Sequence, residues 1–157
     1  VRTTIYKESS INMEISKVTI DDLDQIIDIE KKFFDGIEFY NKACLTNMVE
    51  NKDVIFIKAV DNNKIVGYLI AYYLTDHIDL YQIAVDRSYQ RKHIASKLEE
   101  RLNERKLPIF VEVSQSNIGA IAFYETNGYN IIKVLNNYYE NNSPALLMRK
   151  EYGKSGN

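Results

Sequence analysis

From Asp86 to Leu98 the chain reads DRSYQRKHIASKL, which sets four potential cations, Arg87, Arg91, Lys92 and His93, and the hydroxyl of Ser96 where a strand-like run gives way to a helix-like one. A strand that passes through a cation-rich loop into a helix start presents backbone N–H groups without helical acceptors and the positive end of the helix dipole. That combination suits a phosphate or pyrophosphate. A solvated basic turn is the other reading of the same residues. Further on, FVEV places Glu112 in a short strand, where alternation groups it with Phe110 and apart from Ile109, Val111 and Val113. A carboxylate in a central strand is either solvated at a crevice or paired.

The elements that must hold these residues follow from local pattern. Met13 opens the strand-like MEISKV. Thr19 and Asp22 have capping-box spacing, and Leu23, Ile26, Ile27, Ile29, Phe33 and Phe34 recur at helical spacing, which predicts a helix of about 14 residues. A second helix is expected over residues 38–49. DVIFIKAV, the turn at Asp61, Asn62 and Asn63, and KIVGYLIAYYL predict two strands joined tightly, because asparagine tolerates the left-handed conformation such turns need. The second of these is apolar on both faces and should be central. HIDLYQIAV is a further strand, residues 92–105 a helix, and IFVEV a strand after Pro108. Asn117 is placed to cap a helix running through Phe123 and Tyr124, with Gly128 where a C-terminus favours positive φ. Two strands, over 130–137 and 145–151, complete the chain.

The order is strand, two helices, three strands, helix, strand, helix, two strands. It predicts an α/β fold with one mixed, mostly antiparallel sheet of about seven strands and helices on both faces. The ligand crevice of such sheets opens at the carboxyl ends of adjacent parallel strands, here near Val85 and Val113.

Composition narrows the rest. With 157 residues, 45% hydrophobic and 27% charged, the chain suits one well-packed core. A net charge of −2 gives no global field for nucleic acid, so an anion site must come from local clustering. Cys44, the single cysteine, fits a reducing cytoplasm. VRTTIYKESSIN lacks the apolar core of a signal peptide, and no apolar run spans a bilayer, so no membrane association is expected. Residues 1–12 read as an N-terminal extension, 13–151 as the domain and 152–157 as a tail.

Two motifs give the chain a family likeness. Gln90-Arg91-Lys92-His93-Ile94-Ala95, preceded by IAVD, resembles the Gln/Arg-x-x-Gly-x-Gly/Ala acetyl-CoA motif of the GNAT superfamily of N-acetyltransferases. SNIGAIAFYETNGY, residues 116–129, resembles that family's second motif, in which Asn, Ala, Tyr and Gly recur at these spacings. VEVSQSN and NNYYENNSPALLMRK look most like the RimI-type N-terminal protein acetyltransferases and their archaeal members. One position departs: His93 stands where the motif has glycine. If that site needs positive φ, histidine is among the less penalised alternatives. A histidine there either substitutes passively or adds a donor, charged at low pH, toward the phosphates.

The resemblance implies transfer of acetyl from acetyl-CoA to a primary amine, with CoA as product and no metal. It implies a general base at Glu112, a second candidate base acting through water at Asp79, and a general acid at Tyr124, seven residues after Asn117. An ordinary ion pair for Asp79 and a core role for Tyr124 are the alternatives. Cosubstrate contacts fall on Ile83, Ala84 and Val85, whose N–H groups would face the oxyanion if a bulge frees them, then on Gln90 to Ser96, Asn117 and Tyr124. Phe33, Phe34, Glu38, Tyr40, Tyr138 and Tyr139 match regions flanking the peptide groove. The expected acceptor is the N-terminal α-amine of a protein or peptide, a ribosomal protein among the candidates, and the enzyme a cytoplasmic monomer or homodimer. A small amine such as a polyamine or antibiotic, lysine side chains, or CoA binding without catalysis are the competing readings. The acids of DDLDQIIDIE, expected only on the outer face of a helix, argue against a cationic small acceptor.

Overall fold

A computed structural model describes residues 13–33, 41–90 and 93–152. Its elements are β1 (Met13–Lys17), α1 (Leu23–Phe33), α2 (Lys42–Glu50), β2 (Val54–Asp61), β3 (Lys64–Tyr73), β4 (Ile78–Val85), α3 (Ile94–Glu100), β5 (Ile109–Ser114), α4 (Ile118–Thr126), β6 (Asn130–Leu135) and β7 (Ala145–Lys150). Short 3-10 turns precede α1, precede α3 at Arg87–Tyr89 and follow α3 at Arg101–Arg105. Among the described residues the helix expected over 92–105 is a two-part element and that expected over 38–49 is seen from Lys42 to Glu50, residues 38–40 and 92 lying outside the described residues. The strands form one seven-stranded mixed sheet in the order β1-β2-β3-β4-β5-β7-β6.

Local chemistry accounts for most boundaries. Asn62 and Asn63 take φ of 50° and 64° and close the two-residue β2–β3 turn. Asn117 caps α4 by accepting from the Ala120 N–H at 3.0 Å. Gly128, with φ of 97°, ends that helix. Before α1, Thr19 N–H donates to the Asp22 carboxylate at 2.7 Å.

The described residues fall into two compact units. One comprises the chain up to Ala71 with Gln82–Arg101, the other Tyr72–Tyr81 with Leu102 onward. In the first, Leu23, Ile26 and Ile29 of α1, Leu45 of α2, and the near-continuous buried run of β3 form the core. Gly67 lets β3 lie close to the end of β4. A Cβ there would stand 3.1 Å from the Ala84 carbonyl oxygen and 3.2 Å from Val85 Cγ2.

Glu30 corrects one expectation. It does not lie on an outer helix face; it is 1% exposed, with Oε1 3.3 Å from the Tyr68 hydroxyl, which accepts at 2.6 Å from Gln82 Nε2. Burial raises the Glu30 pKa above the usual carboxylate range. Helical spacing alone put it among the polar residues, but β3 brings a hydroxyl to meet it.

In the second unit β4 and β5 run parallel through Ile78–Leu80 and Ile109–Val111. β5 pairs antiparallel with β7 along its whole length, Glu112 opposite Leu147, and β7 pairs with the edge strand β6. Among the described residues no helix is long and apolar enough to cross a membrane.

Candidate active site

In β5 the alternation reads true. Ile109, Val111 and Val113 are buried, while Glu112 is exposed on the face it shares with Phe110. Asp79 and Tyr81, two apart on β4, likewise share a face. These side chains and the turn between β6 and β7 enclose a cavity of about 460 Å³, lined among others by Tyr72, Asp79, Phe110, Glu112, Tyr138 and Tyr139. That volume suits a small ligand or the end of a peptide. Aromatic residues supply half of its lining, with Tyr72 edge-on to Tyr81 at 5.7 Å and Tyr138 edge-on to Tyr139 at 4.9 Å.

The two candidate bases are held differently. Tyr138 donates its hydroxyl proton to Glu112 Oε1 in a short hydrogen bond. That bond, aided by burial, pushes the Tyr138 phenol up to about 12, and burial followed by the Glu112 charge raises Tyr139. Asp79 Oδ1 lies 3.3 Å from His77 Nε2, and His77 Nδ1 lies 2.7 Å from Asp76 Oδ1. The hydrogen bond from His77 lowers the Asp76 pKa. The carboxylate of Asp79 thus faces the His77 imidazole and lines the cavity as well.

Tyr124 does not line that cavity. It is 9% exposed and packs edge-on to Phe123 at 5.2 Å and to Tyr129 at 5.3 Å. Asn117 is occupied as the helix cap. Phe110 joins Glu112 here as alternation along β5 grouped them, whereas Tyr72, Tyr81 and His77 were not singled out by the sequence reading. Period-two spacing from Asp79 would have found Tyr81, whereas Tyr72 and His77 depend on strand pairing.

The residues expected to contact an anion lie in the other unit, at the end of β4 and after it. Ala84 and Val85 are buried and Ile83 half-buried. The Val85 carbonyl accepts from Gln90 Nε2 at 3.2 Å, and Asp86 N–H donates to the Val66 carbonyl at 2.8 Å. Asp86 accepts from the N–H and hydroxyl of Ser88 at 3.0 and 2.8 Å, which hold its carboxyl below the usual range. Gln90 therefore shapes the turn with its own side chain. Arg91 and Lys92 lie outside the described residues, as do Phe34, Glu38 and Tyr40; Phe33 closes α1.

His93 takes φ 62° and ψ 20°, the left-handed conformation for which glycine is the unstrained residue. It caps α3, whose first helical hydrogen bond runs from Lys97 N–H to the His93 carbonyl at 3.0 Å. The N–H groups of Ile94, Ala95 and Ser96 precede that bond, in the first turn of the helix. Ile94 sends its side chain into the core, and Ala95 and Ser96 are half-buried. A non-glycine residue in this conformation costs about 1 kcal/mol. His93→Gly should therefore raise the melting temperature by about 2–4 °C, measured calorimetrically. An unchanged or lower value would show that the imidazole contributes a compensating contact.

The fold is an α/β class that carries a carboxylate-bearing aromatic pocket. A family model described as the acetyltransferase (GNAT) family matches residues 21–129, more than half of the chain. The chain belongs to that family. It is 28% identical to an N-alpha-acetyltransferase of Saccharolobus solfataricus, over 92% of this chain and 96% of the relative. It is 29% identical to the [ribosomal protein bS18]-alanine N-acetyltransferase of Escherichia coli, over 80% and 86% of the two chains. The crystal structure of the E. coli ribosomal-protein-S18-alanine N-acetyltransferase superposes with a TM-score of 0.77, covering 92% of this chain and 96% of that one at 26% identity.

Proposed function

We propose that this chain, through residues 13–151, is a cytoplasmic acetyl-CoA-dependent N-acetyltransferase whose acceptor is the N-terminal α-amine of a protein or peptide, a ribosomal protein among the candidates. The observation that carries the reading is the placement of Glu112 on the wall of an aromatic pocket, beside Tyr138 and Tyr139. Acetyl-CoA supplies an activated thioester carbonyl. What the chain must do is bind an amine in its neutral form, take its proton as the C–N bond forms, and return a proton to sulfur as the C–S bond breaks.

Glu112 is suited to the first proton transfer because its carboxylate is exposed to the pocket. A peptide α-amine titrates near about 8 and lysine near about 10.4, so one carboxylate suffices for the former. Tyr124 is assigned the second transfer. The N–H groups of Ile94, Ala95 and Ser96, with Asn117, are assigned to hold the cosubstrate, and the N–H groups of Ile83 to Val85 to face the developing oxyanion.

A second reading, a small polyamine acceptor, draws on Asp79 in the wall of this cavity and Asp76 in a second pocket that Asp79 also lines. One experiment separates the two. The protein is incubated with acetyl-CoA and either a library of short peptides or spermidine, and the acetyl group is located by mass spectrometry. Acetylation at peptide α-amines is expected. Modification of spermidine alone, or of lysine side chains alone, would overturn the first reading.

A further inference from the structure

Tyr138 and Tyr139 were expected to serve the acceptor together, yet the structure gives them different neighbours. The turn that carries them is tied to itself. Tyr139 N–H donates to the Ser143 carbonyl at 3.2 Å, Asn142 N–H donates to the Tyr139 carbonyl at 2.8 Å, and Ser143 donates through its hydroxyl to Asn141 Oδ1 at 2.6 Å. Asn137 and Asn142 take φ of 54° and 65°, conformations that asparagine accepts more readily than most residues. The exit of the turn is pinned to β5 just beyond the candidate base, where Gln115 N–H donates to the Pro144 carbonyl at 3.1 Å. A turn tied in this way holds the backbone on either side of Tyr138 and sets its ring beside Glu112. The ring meets Tyr139 edge-on, and its hydroxyl ends on Glu112 Oε1.

We infer that Tyr138 is a positioning residue for Glu112, the β6–β7 turn being the device that holds one carboxylate oxygen so that the other, Oε2, faces the acceptor amine. The inference rests on Glu112 being the base, as proposed above. An exposed glutamate on a strand has three rotatable side-chain bonds, and a base that wanders by an ångström loses much of its effect. A neutral donor on Oε1 removes that freedom. The phenol, held up at about 12, keeps its proton throughout the neutral range and stays a donor. Tyr139, which does not make this bond, is left to contact the acceptor.

Two measurements test this. In steady-state acetylation of a peptide, Tyr138→Phe should lower kcat about tenfold with the peptide KM within twofold of wild type, because only placement of the base is lost. Tyr139→Phe should act on KM instead. Separately, in protein labelled with 13C at tyrosine Cζ, the Tyr138 resonance is assigned by its absence from Tyr138→Phe and titrated. Its midpoint should drop from about 12 toward the ordinary tyrosine value of about 10 in Glu112→Gln. A Tyr138→Phe enzyme that keeps wild-type kcat, one that loses only peptide affinity, or a Tyr138 midpoint unmoved by Glu112→Gln would each overturn the assignment. If the wild-type protein acetylates no peptide, the functional reading fails, and the titration still decides whether Tyr138 holds Glu112.

Discussion

Tyr124→Phe is expected to slow acetyl transfer by about 10²- to 10³-fold while leaving acetyl-CoA affinity nearly unchanged. The phenol's assigned work is to protonate a thiolate that forms only as the C–S bond breaks. Its loss raises the barrier and leaves the ground-state complex alone. The upper end of the usual range for acid catalysis is not expected, because a water molecule can deliver part of the proton. Packing should survive, since the ring that meets Phe123 and Tyr129 edge-on is retained. Single-turnover kinetics with equilibrium binding of acetyl-CoA separates the effects. Wild-type turnover with weakened binding would make Tyr124 a packing or contact residue, which its burial also permits.

For Glu112→Gln the expected loss is about 10²-fold at pH 7, and the pH dependence carries the information. With an α-amine titrating near about 8, roughly one acceptor in ten is neutral at pH 7, so removal of its proton limits the reaction there. As pH rises through 8 and 9 the neutral amine becomes abundant, and the deficit should shrink. The check is kcat/KM for wild type and variant between pH 6.5 and 9.5. A variant with the wild-type rate at pH 7 would move the base to Asp79, and Asp79→Asn, rather than Glu112→Gln, would then show the pH-dependent loss. The two carboxylates line the same cavity, so either has access to the acceptor.

Much of this molecule is dictated over short stretches of chain. The alternation of β5 alone separated Glu112 and Phe110 from the buried Ile109, Val111 and Val113. Asn62 and Asn63 closed a hairpin because asparagine tolerates left-handed torsions, Asn117 capped α4 because its carboxamide reaches an N–H three residues on, and Gly128 ended that helix. Even the left-handed conformation of His93 was foreshadowed by glycine's place in the motif it resembles. Each of these depends on torsions and neighbours within one or two turns of chain, which is why residue type and spacing determine them.

The partners of the functional groups were decided elsewhere. Whether Glu30 is a surface acid or a buried one depends on Tyr68, 38 residues away on β3. That Gln90 secures the Val85 carbonyl follows from the 3-10 turn at Arg87–Tyr89, which no apolar pattern announces. The hydroxyl of Tyr138 reaches Glu112 across 26 residues only because β7 aligns with β5 and a self-tied turn sets the ring beside that carboxylate. His77 similarly stands between Asp76 and Asp79 at the start of β4, setting an imidazole beside one candidate base where the other meets a phenol. Side-chain chemistry and local periodicity are short-ranged and legible along the chain. The partner of each carboxylate is set by strand register and turn geometry, which exist only once the sheet has formed.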